Sequence, residues 1–288
     1  MRIGFYPGCS LHGTSREYNE SVKAIGAVMG IDWEELKDWN CCGATAAHSM
    51  DKNLSLALPI RILALAERQG FQEIVVPCAS CYNRLCMAQY ELEKDERLKE
   101  EILTIVGLPY MNSVKVLNVL QFIEKYVMDR LPEKTVNPFT HRVACYYGCL
   151  LVRPHKVLKF DRLEDPESMD KIMSLLGASP IEWAFKTECC GAGLSVSRTD
   201  LVARLSGNIL KDANDRGAEA VIVACPMCHS NLDMRRTAIN RCLEKPVTIP
   251  VLYITQAIGL AIGLAPKELG LQRHFVNVNF KEAEVCQE

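Results

Sequence analysis

Ten of the fourteen cysteines in this 288-residue chain fall into two sets of five that recur in the same order. Tyr6-Pro7-Gly8-Cys9 returns as Tyr146-Tyr147-Gly148-Cys149, and Cys41-Cys42-Gly43-Ala44 returns as Cys189-Cys190-Gly191-Ala192. Cys78-Ala79-Ser80-Cys81 then returns as Cys225-Pro226-Met227-Cys228, and Val116-Leu117…Gln121…Ile123 as Val251-Leu252…Gln256…Ile258. The pattern C-x31-CC-x35-CxxC thus becomes C-x39-CC-x34-CxxC. Three elements that agree in type, order and spacing mark an internal duplication, so each half must build the same supersecondary unit. The eight extra residues of the second half fit an insertion in the charged stretch 152–167.

The local pattern predicts an α/β fold made of two pseudo-symmetric halves, each a small, mainly parallel sheet with flanking helices. Residues 2–6 and 142–146 read as strands that run into a glycine turn at the first cysteine. The short, apolar, β-branched runs 73–76 and 220–224 read as buried parallel strands, each followed at once by a CxxC motif that opens a helix. Helical spacing covers 18–29, 54–69, 169–176 and 201–216, stopped by Gly30, Gly70, Gly177 and Gly217, where a left-handed C-cap favours glycine. Residues 129–141 carry Pro132 and Pro138 among polar residues and read as a linker. The expected domains are 1–135 and 136–288, with sites at the C-terminal ends of the strands.

Five thiols per half narrow the chemistry. A structural zinc ion takes four ligands, so five cysteines overfill it. Adjacent Cys-Cys sulfurs are awkward for one small ion but can address two neighbouring irons. A cubane cluster with four cysteine ligands leaves one sulfur over, which points to an unusual cluster or to a thiol that changes partner. A CxxC at a helix N-terminus has its thiolate favoured by the helix dipole, and Gly43 and Gly191 let the chain wrap closely round a bulky inorganic core. Iron–sulfur, zinc and redox-active thiols all remain open on spacing alone. Cys86, Cys145, Cys242 and Cys286 have no counterparts and read as small buried residues or inert surface thiols.

Net charge is −2 with no Lys/Arg-rich block, which argues against a nucleic-acid partner. The chain starts without a signal-like segment, and its longest apolar run, 251–265, is too short to span a bilayer. The expectation is a cytoplasmic protein with no transmembrane segment, where thiols serve metals or catalysis rather than disulfides.

Two C-x(31–39)-CC-G-x(33–34)-CxxC repeats in one chain resemble the duplicated cysteine-rich CCG domains of the B subunit of heterodisulfide reductase, over nearly the whole length. Related domains occur in iron–sulfur subunits of glycolate and lactate oxidases, an unusual succinate dehydrogenase and thiol:fumarate reductase. The resemblance implies one non-cubane [4Fe–4S] cluster per half, held by Cys9, Cys41, Cys42, Cys78 and Cys81 and by Cys149, Cys189, Cys190, Cys225 and Cys228. It implies reductive cleavage of the mixed disulfide of coenzymes M and B, as in methanogenesis, between two clusters that capture the substrate sulfurs. It also implies a ferredoxin-like C-type subunit as electron donor and a flavoprotein A-type subunit upstream. The chain itself has no ferredoxin run, GxGxxG or P-loop.

Such a substrate needs cationic anchors, for which His12, Arg153, His155 and Arg198 stand near the motifs. His48 and His229, beside ligand cysteines, are the expected proton donors. Surface charge or a structural hydrogen bond is the competing explanation for each. The rival functions are an electron-transfer subunit of an organic-acid oxidase, succinate dehydrogenase or thiol:fumarate reductase complex, and a zinc-pinned scaffold without redox activity.

Overall fold

The computed structural model describes residues 2–44 and 46–280. The first apolar run forms β1 (Arg2–Phe5), and three further strands join it in parallel: β2 (Asp32–Glu35), β3 (Glu73–Val75) and β4 (Lys115–Leu117), in the order β2-β1-β3-β4. The second half repeats this with β5 (Arg142–Tyr146), β6 (Ser179–Pro180), β7 (Ala220–Val223) and β8 (Val251–Tyr253), in the order β6-β5-β7-β8. The central strands are covered on both faces, which is why Ala220–Val223 reads as an unbroken apolar run with every residue buried. The edge strands did not stand out in the sequence. Asp32–Glu35 is Asp-Trp-Glu-Glu and half-exposed, and Ser179–Pro180 is two residues long.

Helices supply the crossovers. In the first half α1 (Gly8–His12) and α2 (Arg16–Val28) lie between β1 and β2, and α3 (Ala47–Met50) and α4 (Lys52–Arg68) lead to β3. Then α5 (Ala79–Lys94) and α6 (Glu96–Val106) lead to β4, and α7 (Val119–Tyr126) follows it. Residues 129–141 differ from the expected linker. They contain α8 (Leu131–Lys134), bury Leu131 and Phe139, and donate the Val136 and Asn137 amides to the Ala261 carbonyl. Pro132 reads as a breaker but sits in the first turn of α8, where its missing N–H has no intrahelical partner to lose.

The second half runs through α9 (Ser168–Leu175), α10 (Thr199–Asp215), α11 (Pro226–Leu232), α12 (Arg236–Cys242) and α13 (Ile254–Ala261). The inserted stretch 152–167 has no helix or strand, and Asp161 accepts the Glu167 and Ser168 amides as α9 begins. The halves meet through α2 on α13 and its equivalent α7 on α9, and also through α1 on α11, and one apolar core runs through both. Among the described residues, no helix is long and apolar enough to cross a membrane.

Candidate metal centres

Each motif cysteine lies just past the C-terminal end of a strand. Cys9 and Cys149 follow β1 and β5, and Cys78 and Cys225 follow β3 and β7 as N-caps of α5 and α11. The pairs Cys41-Cys42 and Cys189-Cys190 follow the edge strands β2 and β6. The strand ends therefore gather the thiols. Cys42 Sγ is 3.2 Å from Cys81 Sγ and Cys41 Sγ is 3.9 Å from Cys9 Sγ. In the second half Cys190 Sγ is 3.6 Å from Cys228 Sγ.

The same local ties hold both sets. Tyr6 donates its hydroxyl to the Asn40 carbonyl at 2.9 Å, and Tyr146 does so to the Glu188 carbonyl at 2.6 Å. Each acceptor is the residue before a Cys-Cys pair, so the tyrosines recognised as flanks of the repeat anchor the pair to the central strand. Gly43 and Gly191 turn with φ of 75° and 82°, and their amides donate to Cys41 Sγ at 3.4 Å and Cys189 Sγ at 3.3 Å. Tyr146→Phe removes one tie and leaves a partly buried carbonyl short of a donor. It is expected to lower stability by about 1 kcal/mol and to let a chelator strip the second centre faster than the first, followed by visible absorbance.

The electrostatics repeat too. Cys41 is lowered to about 2 by hydrogen bonds from Cys42 and Cys9 and from the Gly43 amide, while Cys9 is pushed up as the donor. Cys189 is lowered to about 6 by Cys149 and by the Gly191 and Ala192 amides, and Cys149 is pushed up. Cys78 is lowered by hydrogen bonds from Cys225 and then Cys81. Cys225 belongs to the other half, so the two CxxC motifs influence one another across the pseudo-two-fold boundary. The groups that favour these thiolates are thiols and backbone N–H, with no lysine or arginine among them. A dense set of soft anionic donors of this kind is what a metal centre satisfies. A four-coordinate zinc would leave one of the five thiols unused in each half, whereas a multi-iron cluster fits all five.

Access differs among the thiols. Cys42, Cys78, Cys81, Cys190, Cys225 and Cys228 are buried, while Cys9, Cys41 and Cys189 are exposed and Cys149 is half-buried. Of the cysteines without counterparts, Cys145 is fully buried in β5, Cys86 is half-buried and pushed up to about 12 by burial, and Cys242 is exposed. Cys286 lies outside the described residues.

The candidate polar residues take varied positions. His12 sits at the end of α1, 3.0 Å from Glu35 and edge-on to Trp39. Arg153 bonds Glu164 at 2.7 Å and the Thr187 carbonyl at 3.3 Å, and Arg198 forms a two-pronged pair with Asp200. His155 and His48 are exposed, the latter 3.5 Å from the Ser49 hydroxyl. His229 is buried, donates Nε2–H to the Val251 carbonyl at 3.1 Å and stacks on Tyr253. Burial, and then the nearby His274, holds its imidazole neutral.

Sequence reasoning missed the buried polar cluster round His229. Its Nδ1 faces Glu17 at 3.9 Å, and ligand atoms of His229, Asp233 and His274 lie within 4.8 Å of one another. The tautomers speak against a metal there. Gln256 is fixed by the Tyr253 amide and the Leu269 carbonyl, so its Nε2 donates to His274 Nε2 at 2.8 Å. The His274 proton is then on Nδ1, which has no partner, so His274 offers an ion no lone pair and Nδ1 of His229 is the one free ring nitrogen of the pair. Only the position of His229 beside Cys228 hinted at this cluster, since Glu17 and His274 come from opposite ends of the chain.

A family model for the cysteine-rich domain CCG matches residues 3–86 and 143–233. The chain is 30% identical, over 96% of its length and 97% of the relative, to the 8-methylmenaquinol:fumarate reductase membrane anchor subunit of Wolinella succinogenes. It is 29% identical, over 97% of its length and 95% of the relative, to the B subunit of the ferredoxin/F420H2-dependent CoB-CoM heterodisulfide reductase of Methanosarcina acetivorans. A crystal structure of a hypothetical protein from Helicobacter pylori superposes with a TM-score of 0.80 at 15% identity, covering 97% of this chain and 53% of that one. That likeness concerns the fold alone.

Proposed function

The chain belongs to the CCG cysteine-rich domain family, and from that premise we propose that it is the disulfide-cleaving iron–sulfur subunit of a heterodisulfide reductase-type complex. The observation that carries this reading is that two five-thiol sets adjoin, since one hydroxyl, that of Tyr18, lies 3.3 Å from the carbonyls just before both Cys78 and Cys225. Two adjoining centres suit a substrate whose cleavage yields two thiols.

Cys9, Cys41, Cys42, Cys78 and Cys81 would hold one four-iron cluster, and Cys149, Cys189, Cys190, Cys225 and Cys228 the other. Such clusters supply Lewis acidity toward sulfur and one-electron storage. The buried cysteines anchor from behind and exclude water, and the exposed Cys9, Cys41 and Cys189 mark the side from which a disulfide approaches. The reaction balances as RSSR′ with two electrons and two protons giving RSH and R′SH. The S–S bond breaks, and each sulfur gains one electron and one proton. The electrons would come one at a time from a ferredoxin-like subunit, itself fed by a flavoprotein. His48, exposed beside the Cys41-Cys42 loop, would be the proton donor, whereas His229, buried, neutral and with its Nε2–H given to the Val251 carbonyl, is poorly placed for that role. His12 and His155 would bind the substrate's anionic groups, with Arg153 and Arg198 released from their carboxylates to assist.

The test is to supply the anaerobic protein with reduced viologen and the CoM–CoB disulfide and to count free thiols. Two thiols per disulfide consumed is the expected result. No thiol from an iron-loaded protein would sink the reading.

A second reading is favoured by the 30% identity to a fumarate reductase anchor subunit. Under it, the centres would relay electrons between a quinol-linked donor and a partner, without touching a disulfide. The same assay separates the two, since a relay oxidises viologen only with its partner's acceptor present.

A further inference from the structure

Tyr18 is fully buried in α2 of the first half, yet its hydroxyl reaches both halves. It lies 3.3 Å from the Pro77 carbonyl and 3.3 Å from the Ala224 carbonyl. These are the residues immediately before Cys78 and Cys225, the N-cap cysteines of α5 and α11. A phenol has one proton, so two acceptors at equal distance share it, and both contacts are longer than an unshared O–H···O bond. The hydroxyl therefore sits between the two CxxC loops, at the boundary of the pseudo-two-fold.

The ring is held there independently. It stacks on Tyr253 of the second half at 4.0 Å with planes 4° apart, and one turn along α2 Ser21 bonds Thr255 at 2.6 Å. The duplication has no second copy of this device. Ser21 and Ser168 both lie nine residues before the glycine that ends their helices, Gly30 and Gly177. By that register the counterpart of Tyr18 is Asp165, which is exposed and pairs with Lys186 at 2.8 Å. One hydroxyl serves both loops, so symmetry is broken where a single atom must lie between two equivalents.

We propose that Tyr18 is the positioning residue that sets the separation of the two iron–sulfur centres, by holding the carbonyls before both CxxC motifs against one hydroxyl; this rests on the two-cluster reading above. Without the shared proton the two carbonyl dipoles face each other directly and repel, and the loops that carry Cys78 and Cys225 move apart. Tyr18 touches neither substrate nor metal and acts only through these loops.

The experiment compares the wild-type holoprotein with Tyr18→Phe, which keeps the ring and its stack. Tyr110→Phe serves as a control for loss of a buried hydroxyl elsewhere, one bonded to Asn112. Iron content and the magnetic interaction between the two oxidised centres are read by EPR on the same samples. Tyr18→Phe is expected to keep the wild-type iron content and to lose splitting, with Tyr110→Phe unchanged. Full iron with unaltered splitting in Tyr18→Phe would overturn the role of Tyr18 alone. A wild-type protein with fewer than two clusters would remove the two-centre reading itself, and the iron count shows which has failed. If the phenylalanine protein loads poorly, 3,5-difluorotyrosine at position 18 replaces it. Its more acidic hydroxyl draws the carbonyls in, so the splitting should grow, and an unchanged splitting overturns the proposal.

Discussion

Cys190→Ala is expected to halve the iron of the protein, from about eight atoms per chain to about four, the content of one four-iron cluster. Cys190 is buried, 3.6 Å from Cys228 Sγ, and Asn231 Nδ2 donates to its carbonyl and approaches its sulfur. Alanine removes a central donor of the second set while the loop stays anchored by Tyr146. The first set draws on no residue of this loop, so its signal should be retained, without the splitting that the second centre causes. Cys42→Ala should give the mirror result, with the first centre lost and the second kept. Disulfide cleavage should vanish in both, because each product thiol needs its own centre. Iron, acid-labile sulfide and EPR on the same anaerobic samples check this. Two intact centres in either variant would remove that cysteine from the ligand set.

Gly148→Val should damage the second centre by a different route. Gly148 has φ of 69°, and a Cβ there would lie 3.0 Å from Cys228 Sγ. A β-branched residue in this conformation costs about 1–3 kcal/mol in backbone strain, and crowding the sulfur adds about 1–3 kcal/mol. The same change at Gly8, with φ of 64° and a Cβ 3.0 Å from Cys81 Sγ, should act on the first centre. Chemical denaturation reads the stability loss, and iron content reads which centre fails. Equal iron loss at both centres would mean that the glycine serves the fold as a whole and not its own thiol set.

The ten motif thiols and their grouping were legible because they are carried by short local motifs, each tied to a strand end or a helix start. The buried strands β1, β3, β5 and β7 were legible for a related reason, since burial on both faces leaves a continuous apolar run. What escaped was set by contacts distant in sequence. Asp32–Glu35 becomes a strand only by pairing with Arg2–Phe5. Residues 129–141 look like a linker until Leu131 and Phe139 are seen buried. Nothing near Tyr18 announces that its hydroxyl meets Ala224, 206 positions away. The charged candidates show the same limit from the other side. Arg153 and Arg198 stand close to motifs in the sequence, and the fold gives both of them carboxylate partners.

The most direct test of the central claim is metal analysis joined to EPR, on anaerobically purified protein before and after addition of coenzyme M. About eight iron atoms per chain, two four-iron clusters, with an oxidised paramagnetic signal that changes on binding the thiol, is the predicted result. Zinc without iron in a preparation that has lost no cluster, or a full iron complement whose signal ignores the thiol, would contradict it.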